Sequence, residues 1–182
     1  AHAITQAGLT PVFVDVGDDY NMRLDLLNQA TTEKTGAVIA TSIFGHPVDL
    51  DALDTYRRQH PDIPILQDCA HSFLAQYQDG RYVHQQGLCA FYGLNISKII
   101  TSIFGGMVTT DDAFFAEKLR EERQALLRPS GWIQGLKRGL YLMAILLAFT
   151  RFVYGVVNHL ERSGWLDRFT KYYSKDKIDW PS

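Results

Sequence analysis

Cysteine is scarce in this chain. Only Cys69 and Cys89 occur, too few for a disulfide framework and without the spacing of a metal site. Reduced thiols in a cytoplasmic setting are the expectation. An excess of positive charge is missing as well. The 18 Lys and Arg face 20 Asp and Glu, for a net charge of −2, and no long basic run appears. The electrostatic field that draws a protein to nucleic acid is therefore absent. No internal repeat, low-complexity tract or secretory-leader pattern is visible. What remains is 182 residues, 46% hydrophobic and 21% charged, which is the make-up of a soluble globular protein with a sizeable core.

A long uninterrupted apolar run is also lacking, and this bears on residues 129 onward. Gly139 to Thr150 are twelve uncharged residues, followed by Arg151 and then six more before Asn158. A membrane-spanning helix needs about 20 mostly apolar residues, and a central charge costs on the order of 2.5–3.5 kcal/mol. A core helix, an interfacial helix, or a helix packed on a partner fits this pattern better than a span. Lys137, Arg138, Arg151 and Arg162 suit contact between residues 136–157 and anionic headgroups, and they suit a solvated face equally.

The first two-thirds alternates strand and helix signals. Residues 1–8 open within a helical pattern. The run TPVFVDV (10–16) has strand composition, and MRLDLLNQAT (22–31) has apolar residues at helical spacing. GAVIATSIF (36–44) is nearly continuous apolar sequence, as in a parallel strand covered on both faces. DLDALDTYRRQH (49–60) is an amphipathic helix that Asp49 or Asp51 caps, and Arg57 and Arg58 are its solvated face. IPILQD (63–68), LCAFYG (88–93) and GMVTT (106–110) are further strands, and residues 111–127 form a long helix. Such alternation predicts an α/β fold of three layers around a mostly parallel sheet. Ligands of such sheets sit outside the carboxyl ends of the strands.

Asp68 and His71, in ILQDCAHSF (65–73), stand at one such end. Lys98 lies downstream in LNISKII (94–100). A lysine amine attacks a carbonyl only when neutral, and so in a partly desolvated pocket. Pyridoxal phosphate bound through such a lysine also needs a carboxylate at its pyridine nitrogen, which makes the ring an electron sink. An imidazole is suited to stacking on that ring, and the FGG at 104–106 lets backbone approach closely. Alone, the three residues also fit an ordinary strand-end cap, a surface histidine and a solvated lysine. The remaining histidines, His2, His46, His60, His84 and His159, have no metal spacing. Cys69 is expected to be a small buried filler, and Tyr172 and Tyr173 are expected to be surface or interface aromatics.

The order of the motifs carries more than any one of them. PVFVD, FGHPVDLDAL, ILQDCAHSF, FYGLNISK and FGGMVTT follow one another in a single register. The string resembles the DegT/DnrJ/EryC1/StrS family of sugar aminotransferases, across about residues 1–127. The resemblance implies the large domain of a pyridoxal-phosphate transferase of the aspartate aminotransferase fold (fold type I). It also implies transfer of an amino group, commonly from glutamate, to a keto group on a nucleotide-linked sugar by a homodimer. Carried over by position, Asp68 would pair with the pyridine nitrogen and His71 would stack on the ring. Lys98 would hold the cofactor and move protons, and its retention argues against the family's dehydratase branch. His46 would stand near substrate.

Departures from the family pattern are specific. The serine five residues before the lysine, a phosphate ligand, is Gly93 here, and Asn95 or Ser97 is the expected substitute. Gln67 occupies a glutamate position, and Ser42 a position where histidine is common. The family's phosphate-binding loop would precede residue 1, and its small domain would follow residue 127. Residues 1–127 therefore correspond to the central part of a large domain, with 128–182 a hydrophobic helical insertion leading away from it. A non-catalytic binding or regulatory module of the same fold is the alternative, motivated by Gly93.

Overall fold

The computed structural model describes residues 1–103, 105–127 and 131–164. Phe104, Tyr172 and Tyr173 lie outside the described residues. The chain divides into two compact units, Ala1–Arg128 and Pro129–Ser182.

The first unit is built on a four-stranded sheet, β1 (Val38–Thr41), β2 (Ile65–Asp68), β3 (Cys89–Gly93) and β4 (Gly106–Thr109), in that spatial order. The first three strands are parallel, with Thr41 opposite Asp68 and Asp68 opposite Phe91. β4 runs antiparallel, with Gly106 opposite Gly93. The carboxyl ends of β1, β2 and β3 and the start of β4 therefore meet on one edge of the sheet.

Side chains alternate along the parallel strands. Val38, Ala40, Ile65 and Gln67 are buried, whereas Ile39, Leu66 and Asp68 are half-buried. The buried face receives two helices, α2 (Leu24–Ala30) and α3 (Leu50–Gln59), through Leu24, Leu27, Leu53 and Tyr56. Leu53 has no exposed surface, so its burial contributes on the order of 2 kcal/mol. Asp49 is the residue that caps α3, its carboxylate accepting the Ala52 N–H at 3.0 Å. A second cluster, Cys69, Val83, Ala90 and Tyr92, gathers Phe73, Ala75, Tyr77 and Leu94. One glycine between these strands is required by close approach, because a Cβ on Gly87 would collide with the Ile65 carbonyl.

Three sequence expectations change in detail. The run at 10–16 is not a strand. Only Val16 makes a bridge, to Met22, and Phe13 is 79% exposed. A β-rich composition forms a strand only where a neighbour satisfies the backbone. Here the Asp15 carbonyl accepts from Arg23 N–H and Gly17 N–H donates to Asn21, which closes a local turn instead. The second change is at β1, which ends at Thr41 because Phe44 (φ 54°) and Gly45 (φ 79°) are left-handed. The third is the connection from β2 to β3, which contains a single short 3₁₀ turn, Val83–Gln85, and no longer helix. The segments at the two ends of this unit are α1 (His2–Gln6) and α4 (Ala113–Leu126), neither of which has a buried residue.

The second unit contains α5 (Trp132–Ala148) and α6 (Arg151–Arg162). No residue of α5 is buried, so it is not a core helix of the described chain.

Candidate active site

Asp68 is the last residue of β2, and the turn that follows is tied to both neighbouring strands. Ser42 N–H donates to the Asp68 carbonyl at 3.2 Å, and Cys69 N–H donates to the Phe91 carbonyl at 2.9 Å. The Asp68 carboxylate accepts the Ala70 N–H through Oδ1 at 3.0 Å. Its Oδ2 has no hydrogen-bond partner among the described residues. Cys69 and Ser72 point inward and are buried, whereas Ala70 is half-buried and His71 exposed. Burial pushes the Cys69 thiol up, with the Asp68 charge adding to the effect, so it is a poor nucleophile.

Lys98 reaches the same place from the other side. After Gly93 the loop folds onto the Leu94 carbonyl, which accepts from Ser102 N–H and Thr101 Oγ1. Leu94 N–H donates to Gly105, and Lys98 N–H donates to the Asn95 carbonyl, each at 3.0 Å. The half-buried Lys98 side chain turns back over the strand end. A Cβ placed on Gly93 would lie 3.6 Å from Lys98 Cε and 3.7 Å from Ala70 Cβ. The lysine therefore faces the 68–71 turn across the glycine, and it makes no ion pair among the described residues. Asn95 and Ser97 sit on this loop and are exposed. Among the described residues neither side chain makes a hydrogen bond.

The loop after β1 forms the third wall. Phe44 meets His71 edge-on at 6.1 Å between ring centres, and Tyr20 meets Phe44 edge-on at 5.9 Å. His46 Nε2 is 3.9 Å from Asp19. Asn21 fixes this loop and is 2% exposed. Its Oδ1 accepts Ile43 N–H at 3.0 Å, and its Nδ2 donates to the carbonyls of His46 (3.1 Å) and Pro47 (3.3 Å). Sequence reasoning passed over Asn21, since nothing local in DDYNM marks a contact 25 residues away. Ser42 is buried, its hydroxyl accepting Val48 N–H at 3.2 Å, so it serves the loop and not the cavity. Gln67 is likewise structural, donating to the Gln86 carbonyl at 2.8 Å. Among the described residues no group of three His, Cys, Asp or Glu side chains has metal-binding geometry.

A half-buried carboxylate with one oxygen unclaimed, a flat exposed imidazole and an unpaired amine thus share one end of a parallel sheet. The model of the DegT/DnrJ/EryC1/StrS aminotransferase family matches residues 1–138. The chain belongs to this family. GDP-perosamine synthase of Escherichia coli O157:H7 is 32% identical over 112 residues, 61% of this chain and 30% of that protein. Among solved structures, the Helicobacter pylori aminotransferase PseC, involved in pseudoaminic acid biosynthesis, has a TM-score of 0.64 at 25% identity, covering 72% of this chain and 35% of that one. The E. coli GDP-4-keto-6-deoxy-D-mannose-3-dehydratase with bound hydrated pyridoxal phosphate has a TM-score of 0.54 at 26% identity, covering 60% and 28%. The chain spans about a third of the length of these relatives.

The fold is thus that of the fold type I pyridoxal-phosphate enzymes, and pyridoxal phosphate is the cofactor of the family. The residues present fit that group. The acceptor oxygen left open on Asp68 is what a protonated pyridine nitrogen requires, and Gly93 puts no side chain between Lys98 Cε and the turn that follows Asp68.

Proposed function

We propose that the protein containing this chain transfers an amino group, from a donor such as glutamate, to a keto carbon of a nucleotide-linked sugar. The observation that carries the reading is the return of Lys98 over Gly93 to the turn at Asp68–His71. Pyridoxal phosphate, when bound, supplies the electron sink that lets a proton leave the carbon bearing nitrogen. Asp68 supplies the negative charge at the pyridine nitrogen, and His71 covers one face of the ring. The amine of Lys98 would hold the cofactor and carry the proton. Asn95 and Ser97 are the candidates for the phosphate, since position 93 has no side chain to offer it. The retained lysine favours transfer over the dehydratase chemistry found elsewhere in the family. A cytoplasmic homodimer serving polysaccharide or secondary-metabolite sugar synthesis accords with the reading, and the two free, buried thiols accord with a reducing compartment.

The test is reduction with borohydride after addition of pyridoxal phosphate to the full-length protein, followed by peptide mapping. A pyridoxyl group on Lys98, absent from Lys98→Ala, is the expected result. A folded protein with no adduct at Lys98 would overturn the assignment and favour the non-catalytic module.

A further inference from the structure

Among the described residues, the second unit presents an apolar stripe that its two helices leave exposed. In α5, Trp132, Leu136, Leu140, Met143 and Leu147 lie along one stripe, each more than half exposed. Gln134, Lys137 and Arg138 take the other side over the first half of the helix, and the second half is apolar all round. In α6, Val153, Val156 and Leu160 recur at i, i+3 and i+7, and Arg151, Asn158 and Arg162 are grouped opposite them. The two helices meet at a bend of 93°, where Thr150 N–H and Oγ1 both donate to the Leu147 carbonyl.

Charge selects the occupant. Between residues 131 and 164 stand Lys137, Arg138, Arg151 and Arg162 against one acidic residue, Glu161, although the whole chain carries a net charge of −2. An exposed apolar stripe with cations on its flank and almost no anions complements an acidic lipid surface. Neutral protein partners give no reason for that bias. The two helices reach the length and composition of a span only when taken together across the 93° bend, which suits helices lying in one leaflet better than a straight crossing. No single described helix is long and apolar enough to span a bilayer, and the 17 residues of α5 measure about 26 Å against a core of about 30 Å.

We propose that α5 and α6 form an interfacial anchor that lies in one leaflet of an anionic membrane, the apolar stripe among the acyl chains and the arginines at the headgroups. This inference does not depend on the chemistry proposed for the sheet edge.

The full-length protein is to be floated with vesicles of phosphatidylcholine alone and of phosphatidylcholine with phosphatidylglycerol, beside Leu140→Glu/Leu147→Glu and Lys137→Glu/Arg138→Glu. All four sites are exposed, so circular dichroism is expected to be unchanged. Strong flotation with the anionic vesicles is expected. The double leucine variant should lose it by at least tenfold. The charge reversal should weaken it by about tenfold or more, since each basic side chain near such a surface is worth roughly fivefold. Equal flotation of wild type and the leucine variant would overturn the proposal. So would equal flotation with neutral and anionic lipid, a soluble oligomer that ignores both vesicles, or protease protection that shows the segment passing through the bilayer.

Discussion

Replacing Gly93 with serine tests whether the strand end beside Lys98 is a phosphate-bearing site. Gly93 shows no left-handed φ, and a Cβ there meets only Lys98 Cε at 3.6 Å and Ala70 Cβ at 3.7 Å, both ordinary van der Waals contacts. The backbone therefore does not demand glycine, and a side chain fits without displacing the lysine. Removing a glycine from a strand is worth about 0.5–1 kcal/mol in the folded state, so Gly93→Ser and Gly93→Ala should both be slightly more stable than wild type. Only the serine adds a hydroxyl where the family places a phosphate ligand. A hydrogen bond to a charged group is worth about 1.5–3 kcal/mol, or about ten- to a hundredfold in affinity. Titration of the full-length variants with pyridoxal phosphate, followed by absorbance, should show tighter binding for serine and no gain for alanine. Weaker binding for both variants, or a loss of more than 1 kcal/mol on denaturant unfolding, would refute the reasoning. Either result would mean that the cofactor or the lysine needs the space the glycine leaves.

Asn21→Ala removes four hydrogen bonds from a nearly buried side chain and strands the Ile43 N–H. It should cost about 2–3 kcal/mol in urea unfolding with the m-value unchanged, and a loss under 0.5 kcal/mol would show that the loop is held otherwise. Tyr77 tests the second core cluster by pH. Burial pushes its phenol up to about 12 from an ordinary 10, and its buried hydroxyl has no partner among the described residues. The neutral phenol is thus favoured by folding. Its contribution is fully present below pH 10, declines as pH rises above 10, and is gone past 12. That contribution is about 1–2 kcal/mol once solvent screening of a part-exposed ring is allowed for. Tyr77→Phe should flatten this alkaline limb of the unfolding profile without loss of stability at pH 7, and an unchanged limb would refute the assignment.

The order and type of most elements were legible because apolar runs report burial, and each parallel strand buries alternate side chains fully and most of the others in part. Residues 38–41, 65–68 and 89–93 show this well: each apolar run became a strand with a neighbour on either side or at least on one. The run at 10–16 has the same composition and became no strand, since pairing depends on a second segment that the run itself does not encode. The same distinction separates the site's legible part from its illegible part. Asp68, His71 and Lys98 could be nominated because the chemistry proposed for them is written in residue type and motif order. Asn21, which braces the wall opposite them, acts mainly through the Ile43 N–H and the carbonyls of residues 46 and 47, backbone groups that any sequence would supply. Backbone acceptors leave no trace in side-chain identity, and a single buried asparagine looks like any turn residue until the loop it holds is in place.

The left-handed pair Phe44–Gly45 shows how such bracing bears on function. A phenylalanine at φ 54° is disfavoured by about 1–2 kcal/mol relative to ordinary backbone. The Asn21 bonds on both sides of the pair, at Ile43 and at His46–Pro47, hold the chain in that state. The product is a ring turned edge-on to His71, the residue assigned to cover the cofactor. Strain at Phe44 is thus offset by a buried amide, and its effect is to restrict the orientation of an otherwise exposed imidazole. If that is the purpose of the arrangement, loosening the loop should alter the cofactor's absorbance and the stacking of His71 before it alters the attachment at Lys98, which is held by a separate loop on the far side of Gly93.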